Sequence, residues 1–302
     1  MSAVLPLPAR RSDFVAGGIY ALLAYASWGL MPAFWKQIHG VDAAELVAHR
    51  VVWSLLVTLA LVAWFRRGAE FLATLRSPRR LAVLAVSTLL VTGNWLLFVW
   101  AVQRGQVLEA SLGYFINPLL NVVLGMLLLK ERLRPLQWLA VLIAAAGVVN
   151  QGLQLHTLPW VALTLALTFG CYGLIRKLAP VEPLVGLTVE TLLATPLALG
   201  YLLWLAAGDA CAFLLTDGGQ RAWIMSAGLI TALPLLWFAN AAKRLKLSTL
   251  GFFQYLAPSG QMLLAVFAYG EPFTPVHMIT FGCIWAALLI YSADARRGMR
   301  ID

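Results

Sequence analysis

The chain has 302 residues, of which 61% are hydrophobic and only 12% charged, with a formal net charge of +9. So few polar side chains cannot cover a water-soluble protein of this length, which excludes a soluble globular fold. The positive charge does not indicate nucleic-acid binding, because most of the 22 Lys and Arg residues lie at the termini or in alternate loops between apolar runs.

Ten apolar runs recur along the chain, and most reach the roughly 20 residues that an α-helix needs to cross a bilayer. The runs are continuous and do not alternate between polar and apolar residues, which excludes a β-barrel and predicts an all-α membrane protein with ten transmembrane helices. Because the basic residues mark the cytoplasmic loops, both termini are predicted to be cytoplasmic. The approximate bounds of the runs are 15–36, 46–65, 81–102, 109–129, 136–150, 158–178, 184–206, 221–242, 248–269 and 275–292.

The first run carries two aromatic residues, Tyr25 and Trp28, at a depth where they either line a cavity or pack against other helices. Pro32 follows and predicts a kink, because its ring removes one backbone hydrogen bond. Tyr25 and Trp28 are therefore candidates for contact with a solute.

The second run contains His49 and Arg50, well inside the predicted helix. A charge at that depth is costly unless it is paired or faces water, so an intramembrane arginine is a candidate for a functional site. The alternative is that Arg50 snorkels outward or pairs structurally with Glu45 or Glu109. His49 is either a site residue or a hydrogen-bonded packing residue.

Runs three and four add amide side chains to the candidates. Asn94 and Trp95 lie in run three, and Asn117 directly precedes Pro118 in run four. An amide in hydrocarbon needs a partner, so each of these side chains either bonds a neighbouring helix or contacts a solute.

Tyr172 in run six and Glu190 in run seven are further candidates for the solute site. Glu190 follows His49 by 141 residues, which is close to half the length of the chain. The two ionisable positions could therefore lie at equivalent depths in two halves and act as the two gates of one pathway.

An internal repeat supports two halves. The segment 111–135 returns in degraded form as 248–275, about 140 residues later, with Gln254, Tyr255 and Pro258 in the region that matches Asn117 and Pro118. We therefore predict two five-helix repeats, 1–150 and 151–302, with paired broken or bent helices at the prolines. Since five is an odd number and both termini are on one side, the second repeat must be inverted relative to the first.

Six strings resemble the RarD family of the EamA-type drug/metabolite transporter superfamily over nearly all ten runs. The resemblance implies a bacterial inner-membrane permease built from two EamA repeats and associated with chloramphenicol sensitivity or resistance. It supplies neither a substrate nor site residues. The strings are ELVAHRVVWS (45–54), NWLLFVWA (94–101), SLGYFINPL (111–119), KERL (130–133), YGLIRK (172–177) and LSTLGFFQYLAPS (247–259).

The function predicted is secondary transport of a small organic solute by alternating access, in a monomer or homodimer whose basic loop 66–80 also contacts lipid headgroups. The aromatic lining suits an aromatic or amphipathic solute, and Arg50 suits an anionic one. An intramembrane enzyme acting on lipid or peptide is the alternative, but the sequence has no HExxH motif and no phosphate-binding loop. No cofactor or metal is expected, because Cys171, Cys211 and Cys283 have neither paired nor metal-type spacing.

Overall fold

The computed structural model of the protein describes residues 11–104, 107–153, 159–270 and 274–298, and these residues contain helices and no strand. The α-helices are α1 (Arg11–Trp35), α2 (Ala43–Trp64), α3 (Gly68–Leu75), α4 (Pro78–Gln103), α5 (Val107–Leu129), α6 (Pro135–Gly152), α7 (Trp160–Leu178), α8 (Pro183–Ala207), α9 (Ala212–Leu215), α10 (Gly218–Arg244), α11 (Leu247–Gln254), α12 (Leu256–Leu263) and α13 (Pro275–Gly298). A π-helical segment, Leu264–Ala268, continues α12.

Ten helical segments in the described part of the chain are long and apolar enough to cross a membrane. They coincide with the ten predicted runs to within a few residues, which confirms the all-α membrane fold. We number them spans 1 to 10, with α11, α12 and the π-helical segment together forming span 9. The short helices α3 and α9 were not predicted, because each is too short to produce an apolar run of its own.

Prolines affect the spans differently from the prediction of paired breaks. Helix α5 continues through Pro118 as one helix, whereas span 9 is interrupted at Tyr255, three residues before Pro258. Pro258 lies in the first turn of α12, where its missing N–H would have no partner within the helix. Of the two segments predicted to be broken or bent, span 9 is interrupted and α5 is one continuous helix.

Pro32 lies inside α1, which also remains one helix. The ring removes the hydrogen bond that the Trp28 carbonyl would accept within the helix. Gln261 of span 9 replaces it, because its Nε2 donates to the Trp28 carbonyl oxygen over 3.1 Å. The proline of one half is thus compensated by a side chain of the other half.

The main helix contacts have a pattern that is unchanged when the two halves of the chain are exchanged. Span 1 packs on spans 8 and 9, and correspondingly span 6 packs on spans 3 and 4. Span 2 packs on span 8, and span 7 on span 3. The remaining large contacts join equivalent spans directly, namely 2 with 7, 4 with 9 and 5 with 10.

Candidate functional site

A small central cavity of about 20 Å³ lies between α2, α4, α7, α8 and α10. Two of its lining side chains are aromatic, Trp95 and Tyr172. Because α2 and α4 come from the first half of the chain and the other three helices from the second, the cavity lies between the two halves. The polar residues of its wall, apart from these two aromatics, are Ser54, Thr92, Glu190, Thr191 and Thr231.

One part of the cavity wall is formed by a buried ion pair. Nη1 of Arg176 lies 3.5 Å from Oε1 of Glu190, and both side chains are buried. Ser87 of α4 donates a hydrogen bond to the same carboxylate oxygen, and Nη2 of Arg176 donates to the Pro183 carbonyl over 2.9 Å. Glu190 is therefore a paired and hydrogen-bonded acid that ties α8 to α4 and α7, which is how a charge persists in a dry interior.

Arg50 lies beside the same cavity and is held by other groups. Its Nε donates to Thr231 Oγ1 over 2.9 Å, and its guanidinium carbon lies 5.0 Å from the ring of Trp35 and 4.9 Å from that of Trp95. Among the side chains that the structure describes, no carboxylate lies within 4.0 Å of it. The positive charge is thus held by two aromatic faces and a hydroxyl.

The proposed alternative pairing of Arg50 with Glu45 is not present. Glu45 instead accepts hydrogen bonds from the backbone N–H groups of Ala212 and Phe213, over 3.1 and 3.0 Å, and from the thiol of Cys211 over 3.4 Å. These groups lie at the start of α9 and satisfy the carboxylate away from Arg50. Glu109, the other candidate partner, lies outside the described side chains.

His49 points to the Glu45 side of α2 and does not line the cavity. Its Nε2 lies 3.6 Å from Glu45 Oε1, and its ring packs on Phe213 with 4.7 Å between ring centroids. Burial raises the pKa of the Cys211 thiol, so this group keeps its proton as the donor to Glu45. His49 and Glu190 therefore each pair with another ionisable residue, His49 with Glu45 and Glu190 with Arg176.

The amide side chains predicted as candidates form a second group. It lies next to a smaller cavity of about 10 Å³ that Asn94, Asn117 and Gln254 help to line. Asn94 donates to the Leu165 carbonyl and to Thr168 Oγ1, each over 2.8 Å, and Asn117 donates to the Ala166 carbonyl over 2.7 Å. These bonds join α4 and α5 to α7.

Asn121, which was not a candidate, bridges the remaining members of this group. Its Nδ2 lies 3.1 Å from both Asn117 Oδ1 and Gln254 Oε1, so it connects α5 to span 9. Asn121 lies one helical turn after Asn117, and that spacing was the signal that could have identified it.

Aromatic candidates pack together between the halves. Tyr25 contacts Trp28 with ring centroids 5.3 Å apart, and Tyr172 stacks on Phe238 at 5.7 Å. Tyr25 and Trp28 do not line the central cavity, whereas Tyr172 does. Tyr255 lies apart from both groups, where its hydroxyl donates to the Phe115 carbonyl over 3.3 Å.

The structure thus brings Trp95, Tyr172 and Glu190 into the wall of the central cavity, with Arg50 bonded to that wall. Sequence reasoning missed Arg176, which it counted among the cytoplasmic basic residues, and Thr231, which carries no signal of its own. Arg176 could have been found from Glu190, because a buried carboxylate requires a cation and Arg176 is a basic residue at the end of the preceding run.

Comparison with known proteins adds a family. A model described as the EamA-like transporter family matches residues 15–150. The chain is 47% identical over 284 residues to protein RarD of Salmonella typhimurium, covering 92% of this chain and 95% of that protein. It is 33% identical over 290 residues to the chloramphenicol-sensitive protein RarD of Pseudomonas aeruginosa, covering 94% and 96% of the two chains.

The fold also matches a solved crystal structure of another protein. The TM-score is 0.73 at 21% sequence identity, and the match covers 94% of this chain and 99% of the other. At this identity the likeness concerns the fold alone.

Proposed function

The chain belongs to the RarD family of EamA-like transporters, and from that premise we propose that it moves a small aromatic or amphipathic organic anion by alternating access. It is a multi-pass bacterial membrane protein. The membrane proposed is the inner membrane, with both termini in the cytoplasm, because the basic residues concentrate in the terminal segments and in alternate loops.

Two inverted repeats, 1–150 and 151–302, are the proposed basis of the mechanism. The contact pattern that survives exchange of the halves supports a pseudo-two-fold axis, and a central cavity between the halves is where such transporters bind their solute. Rocking of one half against the other would expose the cavity to each side in turn.

The single observation that carries the substrate class is the guanidinium of Arg50, which lies between Trp35 and Trp95 and has no carboxylate within 4.0 Å among the described side chains. A cation desolvated beside a cavity, without a described carboxylate partner, is suited to bind the anionic group of a solute. The neighbouring rings of Trp95 and Tyr172 supply faces on which an aromatic or apolar body can pack.

A link to chloramphenicol rests on the name of the Pseudomonas aeruginosa relative, the chloramphenicol-sensitive protein RarD, and we propose it for this chain as a candidate effect on drug sensitivity. Chloramphenicol therefore belongs in the panel of test compounds.

The test is uptake and efflux in proteoliposomes with a panel of aromatic carboxylates, chloramphenicol and neutral analogues, with and without a proton gradient. We expect flux of at least one anionic compound and, in Arg50→Ala, a reduction of about 10- to 100-fold, since a hydrogen bond to a charged group is worth about 1.5–3 kcal/mol. Arg50→Lys should retain only part of the wild-type flux, because an ammonium cannot stack on an aromatic ring as a planar guanidinium does.

Arg104→Ala is the matched control, because Arg104 is exposed and its guanidinium carbon lies 5.7 Å from the ring of Trp100. Normal flux in folded Arg50→Ala would remove Arg50 from the solute site. If no compound is transported and the protein instead modifies lipid or peptide, the enzyme alternative replaces the transporter.

A further inference from the structure

Glu45, His49 and Cys211 form a cluster of potential metal ligands beside α9, outside the central cavity. One ligand atom from each residue lies within 4.8 Å of the other two, and all three residues are buried. His49 Nε2 lies 3.6 Å from Glu45 Oε1, and Cys211 Sγ lies 3.4 Å from the same oxygen. Nε2 of His49 is buried and has no hydrogen-bond partner.

These separations match the requirements of a zinc ion. With Zn–S, Zn–N and Zn–O bonds of about 2.3, 2.1 and 2.1 Å, tetrahedral geometry places the ligand atoms about 3.4–3.6 Å apart. The His49–Cys211 separation, at most 4.8 Å, closes to that value by rotation of the short Cys211 side chain. Thiolate, imidazole and carboxylate together are a ligand set that zinc accepts.

The surroundings of the cluster orient its ligands. The backbone N–H groups of Ala212 and Phe213 fix the Glu45 carboxylate, and the Phe213 ring covers His49. Hydrogen bonds of this kind hold a first ligand in position before an ion arrives. The adjoining residues 207–210 are exposed, so an ion can approach from the aqueous phase.

We propose that Glu45, His49 and Cys211 bind one Zn²⁺ ion. Binding replaces the thiol proton of Cys211, which is released to solvent, and the fourth position is left for water. The ion would connect α2, in the first half of the chain, to the loop before α9 in the second half. A bound ion should therefore hold the halves together at this end of the molecule.

Zinc binding is tested on the purified full chain in detergent, stripped of metal with a chelator and titrated with Zn²⁺. We expect one ion per chain, and an affinity at least about tenfold lower in Cys211→Ser, since even losses outside the ligand shell cost 10- to 100-fold. Cys171→Ser is the matched control and should bind as the wild type does. Equal binding by the wild type and a folded Cys211→Ser variant would overturn the site.

Cobalt gives a second measurement that needs no variant. Co²⁺ bound by the wild-type chain should show a thiolate-to-metal charge-transfer band that Zn²⁺ abolishes. Absence of this band in the wild-type chain would equally overturn the proposal.

A transport arm rests on the function proposed above: Zn²⁺ on the side of α9 should reduce flux in the wild type and not in Cys211→Ser. Because binding is measured without flux, a chain that binds zinc and transports nothing would contradict the proposed function and not the metal site. Zinc binding without an effect on flux would contradict only the expectation that the bound ion holds the two halves together.

Discussion

The guanidinium of Arg176 reaches Glu190 through space left by the absence of a side chain at Gly186. A Cβ atom added at Gly186 would meet three guanidinium atoms of Arg176, with Cζ and Nη2 only 3.0 Å away. Arg176 is fully buried and held at Pro183 and Glu190, so it cannot move aside into solvent. The ion pair and the glycine therefore depend on each other.

Gly186→Ala should consequently destabilise the protein by about 3–5 kcal/mol if it separates the buried pair, or by about 1–3 kcal/mol if the helices shift to keep it. The measurement is chemical unfolding in detergent. Gly200→Ala in the same helix is the control, because nothing lies within 4 Å of a Cβ atom there. A Gly186→Ala protein as stable as the control would show that Arg176 has room to move.

At the residue scale, the sequence identified positions more reliably than partners. The depth of Arg50 and Glu190 marked them as costly charges, and the structure assigns Glu190 a cation while leaving Arg50 with aromatic neighbours. The alternative that Arg50 pairs with Glu45 is not realised, because Glu45 contacts His49 and the start of α9 instead. The deciding factor was the start of α9, more than 160 residues away in sequence.

At the scale of elements, Glu131 caps the beginning of α11. Its carboxylate accepts from the backbone N–H groups of Leu247 and Ser248, over 2.7 and 3.0 Å, and from the Ser248 hydroxyl over 2.6 Å. A carboxylate at a helix N-terminus satisfies free N–H groups and interacts favourably with the helix dipole. The turn between α5 and α6 is thereby attached to span 9.

Glu131→Gln should lower the free energy of unfolding by about 1.5–3 kcal/mol, because hydrogen bonds to a charged acceptor are replaced by weaker ones. Denaturant titration in detergent measures the change. Glu70→Gln serves as the control, since Glu70 forms only an exposed pair with Arg67 at 3.6 Å and such pairs contribute about 0–1 kcal/mol. Equal stability of the two variants would mean that the cap adds nothing.

The ten spans could be predicted because each is a continuous apolar run of sufficient length, a signal that needs no tertiary information. The sequence also predicted a broken or bent helix in span 9. The difference between span 9 and α5 could not be predicted, because Pro118 and Pro258 give the same local signal and only packing distinguishes them. Helix α9 could not be predicted either, because it has four residues and its position depends on Glu45.

At the scale of the whole molecule, α2 and α8 meet at a pair of threonines, one from each half. The Oγ1 atoms of Thr58 and Thr191 lie 3.4 Å apart, and Thr191 also lines the central cavity. A link between these positions would join the two halves next to the proposed solute site.

Thr58→Cys combined with Thr191→Cys should allow a disulfide to form under oxidation, since the two side-chain oxygens that the sulfurs would replace lie 3.4 Å apart. If transport requires the halves to move apart there, oxidation should abolish flux in proteoliposomes and a reductant should restore it. The two single variants are the controls and should respond to neither reagent. Full flux in a completely oxidised double variant would contradict movement at this contact.

The echo of 111–135 at 248–275 predicts two related halves, whereas the cavity could not be predicted from the sequence, because it depends on five helices at once. Sequence periodicity reports which segments are related, and only packing reports the space left between them.

The interruption of span 9 has an energetic consequence. Two perfectly equivalent halves would make the inward-facing and outward-facing forms mirror each other, with equal free energies and no resting preference. Because α5 is unbroken while its counterpart has a break at Tyr255 and a π-helical segment, that degeneracy is lifted. If the protein alternates as proposed, we therefore expect its unloaded form to open mainly toward one side of the bilayer, so that the affinity for solute measured from the two compartments differs.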